Sequence, residues 1–100
     1  MSYVVRLRLF GFLERLAGRR ETSIVVGDNA TLLDVLSDLA RQYGTEFASA
    51  VFRAPNHVQT HLRLFMNERP AEVTDLVAPD AKGETEVLVL VLNSIEGGSR

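Results

Sequence analysis

Apolar and polar residues alternate from Tyr3 to Phe10, with Val5, Leu7 and Leu9 on one side and Val4, Arg6, Arg8 and Phe10 on the other. A period of two predicts a strand. Gly11 then opens Phe12-Leu13-Glu14-Arg15-Leu16-Ala17, a segment closed by Gly18 and suited either to one or two helical turns or to a wide hairpin loop. Glu21 to Val26 is rich in β-branched residues and predicts a second strand, ended by Gly27-Asp28-Asn29. The pattern next changes period. Leu32, Val35, Leu36, Leu39, Ala40 and Tyr43 recur at helical spacing, with Asp34, Ser37, Asp38, Arg41 and Gln42 on the wet side. Thr31 fits the N-cap with Asp34 as a short capping-box acid, and Gly44 stands where a C′ glycine ends a helix.

Glu46 to Phe52 predicts a further short helical turn, and Arg53-Ala54-Pro55-Asn56-His57 a loop. Leu62 to Asn67 alternates again as a third strand, turned by Asn67-Glu68-Arg69-Pro70. Glu72 to Ala81 reads as irregular, anchored by Leu76 and Val77. The last strand, Glu86 to Leu92, is apolar at nearly every position, which predicts a place in the middle of a sheet. One long helix cannot bury its apolar stripe alone, so a sheet must cover it. This order predicts an α+β fold: a mixed four- to five-stranded sheet packed on one main helix, in the β-grasp (ubiquitin-like) arrangement. The expected division is a domain over 1–93 and a flexible polar tail over 94–100.

Composition narrows the function. One hundred residues support one domain with one core. A formal charge of −2 argues against a general nucleic-acid binder. No apolar run approaches the ~20 residues of a membrane span. The start of the chain lacks the layout of a signal peptide, so a cytoplasmic location is expected. There is no cysteine, hence no thiol nucleophile and no zinc-thiolate site. His57 and His61 lie four apart but lack further ligands at suitable spacing, and read as surface histidines with no metal site. No catalytic triad, phosphate loop or paired carboxylates stand out, and no intrinsic enzyme activity is expected.

Two features remain. The outward face of the sheet is expected to carry Arg6, Arg8, Arg63, Phe10 and Phe65, aromatics ringed by arginine in the manner of an interface patch, or else ordinary solvated positions. The tail carries Gly97-Gly98. Without Cβ atoms a Gly-Gly pair can lie extended in a channel that any side chain would block, although polar tails favour glycine for no functional reason as well.

Taken in order, the segments Leu9 to Gly18, Ala30 to Leu36, Phe65-Met66-Asn67-Glu68, Gly83 to Val87 and the final Gly97-Gly98 resemble the sulfur-carrier branch of the ubiquitin-like proteins, the MoaD/ThiS family. That family includes the small subunit of molybdopterin synthase and the carriers of sulfur for thiamine and cysteine. The resemblance implies a carrier without a bound cofactor. Its terminal glycine carboxylate would be adenylated by an E1-like enzyme using ATP, then converted to a thiocarboxylate that serves a sulfur-accepting synthase subunit. Gly98 would carry the sulfur, Gly97 would permit threading, and Ile95 and Glu96 would be read by the partner. Ser99 and Arg100 follow Gly98, so a peptidase, such as a metal-dependent one, must first cut between Gly98 and Ser99. The length of the stretch from Arg53 to His61 leans toward the molybdopterin or cysteine type. The alternatives are a β-grasp interaction module with an inert tail, and a ubiquitin-like modifier joined to lysines through Gly98.

Overall fold

The computed structural model describes residues 2–92. The first strand, β1 (Tyr3–Leu9), passes through Gly11 into helix α1 (Phe12–Ala17), which resolves the choice between helix and wide loop. Strand β2 (Glu21–Val26) returns antiparallel to β1 with Val5 opposite Ile24 and Leu7 opposite Thr22. The chain then crosses as the main helix α2 (Leu32–Tyr43) and a shorter α3 (Thr45–Val51). A small hairpin follows, β3 (Phe52–Ala54) and β4 (His57–Val58), where the sequence predicts only a loop. Strands β5 (Leu62–Met66) and β6 (Arg69–Ala71) form a second hairpin, and β7 (Thr85–Val91) closes the fold.

The main sheet has five strands in the order β2-β1-β7-β5-β6. β7 lies parallel to β1 and antiparallel to β5, which makes the sheet mixed and puts the most apolar strand at its centre. Arg69 and Pro70 belong to β6 rather than to the turn: the reversal needs only Asn67 and Glu68, both with positive φ, at 52° and 72°. Such a two-residue turn matches the twist of the flanking strands.

The core lies between one face of the sheet and the helices. Val5, Leu7 and Leu9 from β1 and Val87 and Val89 from β7 meet Leu13 of α1, Leu32, Val35, Leu36 and Leu39 of α2, and Phe47 and Val51 of α3, all fully buried. The apolar stripe read from the sequence is thus the buried stripe of α2. Its N-terminus is capped as expected. Thr31 Oγ1 accepts the Asp34 amide at 3.3 Å, and Asp34 Oδ2 accepts the Thr31 amide at 2.9 Å.

The segment from Glu72 to Ala81 completes that cap. The amides of Leu32 and Leu33 donate to the carbonyls of Asp75 and Val73, so irregular chain supplies acceptors that the first helical turn lacks within itself. Between α2 and α3, Gly44 has φ 97° and ψ −172°, a region essentially closed to residues with a Cβ, and it serves both helix ends.

Candidate functional site

Alternation along the strands leaves the sheet face opposite the helices uncovered. On β7 the buried Val87 and Val89 alternate with half-buried Leu88 and Leu90. Leu92 continues the ladder through a 2.9 Å bond from its amide to the His61 carbonyl and is 44% exposed. Register then builds the patch. Phe65 of β5 stands opposite Leu88, and Arg63 opposite Leu90. On the other side Arg8 of β1 stands beside Leu88, and Arg6 beside Glu86. The result is an apolar row from the central strand, widened by Phe65 and bordered by arginines.

Each residue expected on the outward face has a distinct setting. Arg6 reaches Glu86 at 3.5 Å, and Arg8 reaches Glu21 at 3.6 Å. The Arg8 guanidinium also lies 5.9 Å from the centre of the Phe10 ring, just beyond the end of β1. Arg63 instead bends back to its own backbone, donating to the carbonyls of Thr60 at 3.1 Å and Leu62 at 3.0 Å. Phe65 is half-buried and helps line a groove of about 360 Å³ with Arg63, Pro70, Val58 and Val73. Arg6, Arg8 and Phe10 therefore flank the patch on one side, with Arg63 and Phe65 on the other. They do not form a ring around a single aromatic.

Leu88 and Leu90 are the residues that sequence reasoning missed. A continuously apolar strand reads as buried on both faces, and only the absence of a second covering layer shows that half of it is open. Their i, i+2 spacing from Leu92 would have identified the row had one-sided cover been assumed.

Asn67 joins this face to the rest of the fold. Its amide donates to the Glu86 carbonyl at 2.8 Å, its Oδ1 accepts the Glu86 amide at 2.9 Å, and its Nδ2 donates to the Ala78 carbonyl at 3.0 Å. Nearby, Asp80 Oδ1 accepts the amides of Glu84 and Lys82 at 3.0 and 2.8 Å. These bonds, led by the one from Glu84, hold the Asp80 carboxyl below its ordinary value. Both are structural duties rather than chemical ones.

Ile95, Glu96, Gly97, Gly98 and Ser99 lie outside the described residues. Their point of departure is defined, since β7 runs parallel to β1 and ends beside His61. Gly98 is six residues past Leu92, within about 21 Å of that point for fully extended chain. Leu88, Leu90 and Leu92 share a face of the last stretch of described chain before the tail. Among the described residues, no three His, Asp or Glu side chains gather as metal ligands, and no helix is long and apolar enough to cross a membrane.

No protein-family model and no curated protein sequence matches the chain. Solved structures do. SAMP1, a small archaeal modifier protein from Haloferax volcanii, superposes with a TM-score of 0.78 at 23% identity, covering 95% of this chain and 99% of its own. A putative molybdopterin converting factor subunit 1 from Pyrococcus furiosus has a TM-score of 0.69 at 17% identity, covering 89% of this chain and 97% of its own. A ubiquitin from Caldiarchaeum subterraneum has a TM-score of 0.56 at 13% identity, covering 92% of this chain and 95% of its own. The chain has the β-grasp, ubiquitin-like fold that these neighbours share.

Proposed function

We propose that this chain is a carrier whose C-terminal glycine, Gly98, is activated and loaded with sulfur by other enzymes. The observation that carries the proposal is the placement of β7. The strand that precedes Gly97-Gly98 in the chain is the central strand, and its outer row of Leu88, Leu90 and Leu92 offers a partly exposed apolar surface up to the last described residue. An activating enzyme can grip that surface and draw the next residues into its active site. The likeness to a molybdopterin converting factor subunit supports the same reading.

The chemistry places the catalytic burden on the partner. A carboxylate is a poor electrophile until a good leaving group is attached. Removal of Ser99 and Arg100, by a metal-dependent peptidase in this proposal, frees the Gly98 carboxylate. An E1-like enzyme joins the carboxylate to the α-phosphate of ATP and releases pyrophosphate. A sulfur donor then displaces AMP, leaving a thiocarboxylate that is nucleophilic at neutral pH. A sulfur-accepting synthase subunit consumes it and returns the carboxylate. Gly97 permits the approach, while Ile95 and Glu96, with Phe65, Arg63, Arg6, Arg8 and Phe10 on the sheet, contact the partners. The carrier itself holds no cofactor, and the compartment proposed is the cytoplasm.

The test is the intact mass of the protein recovered from its native cell. The expected result is loss of Ser99 and Arg100, together with replacement of one terminal oxygen by sulfur. A chain that keeps Arg100 while the pathway is active would refute the proposal. The likeness to an archaeal modifier favours a second reading, isopeptide attachment of Gly98 to lysines of other proteins. Conjugates carrying the Gly98 remnant on lysine would select it.

A further inference from the structure

The two edges of the five-stranded sheet are built differently. At the β6 edge, outward pairing is obstructed. The strand has three residues, and Pro70 lies between the paired Met66–Arg69 and Leu64–Ala71 positions, where an amide would point away from β5. Beyond it, the outward groups of Leu62 are used locally. Its amide donates to Gln59 O at 3.1 Å, and its carbonyl accepts the Arg63 guanidinium at 3.0 Å.

At the β2 edge none of these devices is present. The Leu9 amide bonds the Arg20 carbonyl at 2.8 Å, which sets the phase of the antiparallel ladder. Thr22, Ile24 and Val26 therefore bond toward β1, and the backbone groups of Glu21, Ser23 and Val25 point outward. The strand runs six residues without proline, lysine or bulge. Val25 is 64% exposed and stands opposite Val4, itself 60% exposed. A straight, β-branched edge of this kind is a template for another strand.

We propose that β2 pairs with β2 of a second copy, antiparallel about a two-fold axis at Ile24, making one continuous ten-stranded sheet. The occupant follows from self-complementarity. Residues facing each other across an antiparallel pair share a face, so the two positions of each pair must both be even or both be odd in number. Centring on Ile24 sets Ser23 opposite Val25 as a hydrogen-bonded pair in both directions, and Thr22 opposite Val26. Val25 of one copy then lies diagonal to Val25 of the other, within reach of contact. A strand-sized interface is small, so the dimer is a weak one. It leaves β7 uninvolved, because β1 separates β2 from β7.

The chain has no cysteine, which permits a direct test. Facing residues of a non-hydrogen-bonded antiparallel pair have Cα atoms about 4.5 Å apart, within disulfide reach. Under mild oxidation Ile24→Cys is expected to form a covalent dimer far faster than a control, Thr60→Cys, at the remote end of β5. Sedimentation of the unmodified protein up to about 1 mM should show reversible dimerisation, as expected for a small interface. Val25→Lys should raise the dissociation constant at least about tenfold while leaving the circular dichroism of the monomer unchanged. Monomer behaviour across the whole range overturns the proposal, including the case in which β2 serves a strand of a different protein. So does cross-linking at residue 24 no faster than at residue 60.

Discussion

The two faces of β7 behave as though they belonged to different proteins. Val87 and Val89 are sealed beneath the helices, while Leu88 and Leu90, one residue away, are only half-buried and stand among arginines. Hydrophobicity is nearly constant along the strand, yet only one face acquires a covering layer. On the covered face apolar area contributes folding energy. On the open face the same apolar side chains keep part of their surface in water. The difference teaches that an apolar residue in a sheet must be assigned by what lies over it, not by its own side chain.

The largest effect should come from the covered side. Phe47 is the bulkiest fully buried side chain, and Phe47→Ala should cost about 3–5 kcal/mol in denaturant unfolding. Affinity of the still-folded fraction for an activating enzyme should not change. A cost under about 1 kcal/mol would mean that the helices are not the source of cover.

Asn67 is the instructive exception. It lies at the rim of the open side, yet it links β5, the start of β7 and the segment that caps α2. Asn67→Ala strands the Glu86 amide and the Ala78 carbonyl, and about 2–3 kcal/mol of destabilisation is expected, with Asn67→Asp unable to donate to Ala78. A neutral result would confine structural duty to the covered face.

Gly44→Ala should cost about 1–3 kcal/mol through backbone strain alone, because φ 97° with ψ −172° excludes a Cβ although no atom lies within 4 Å of the added one. Thermal unfolding measures it, and unchanged stability would show that the junction of α2 and α3 relaxes freely.

Leu88→Ser reverses the balance. Stability should fall by about 1–2 kcal/mol, since the side chain is only partly buried, while binding to the activating enzyme should drop at least tenfold, about 1.4 kcal/mol or more. Retained binding would remove the open row from the proposed docking surface.

The smallest effect is local and depends on pH. The folded Asp80 carboxyl titrates below the ordinary 3.8, so its contribution to the 80–84 loop is present above that value and lost as pH falls through the lowered one. Hydrogen exchange at the Lys82 and Glu84 amides should quicken over that acidic window and lose its pH dependence, relative to intrinsic exchange, in Asp80→Ala. Identical profiles in the two proteins would count against the loop's dependence on this carboxylate.

Local rules were enough for much of this molecule. The period of two in Tyr3–Leu9 and the helical stripe of α2 with its Thr31–Asp34 cap are legible in the residues, because each depends on neighbours within a few positions, and the unbroken apolar run of the last strand signals its central place through composition. The β3–β4 hairpin and β6 were not legible. Three or fewer residues per strand are too short for a period, and their pairing is decided by where the surrounding chain brings them. The residues proposed to carry the chemistry, Gly97 and Gly98, were visible from sequence alone, since a diglycine is defined by the side chains it lacks.

What only the tertiary structure decided concerns faces and edges. That Leu88 and Leu90 are only half-buried, that Arg63 turns back onto the carbonyls of Thr60 and Leu62, that Asn67 ties three segments together, and that β2 rather than β6 presents an unguarded backbone all depend on strand order and cover. Sequence patterning sets which side chains alternate. Which of the alternating sets meets a helix, a neighbouring strand or water is settled by contacts between residues distant in the chain, and no local pattern encodes those contacts.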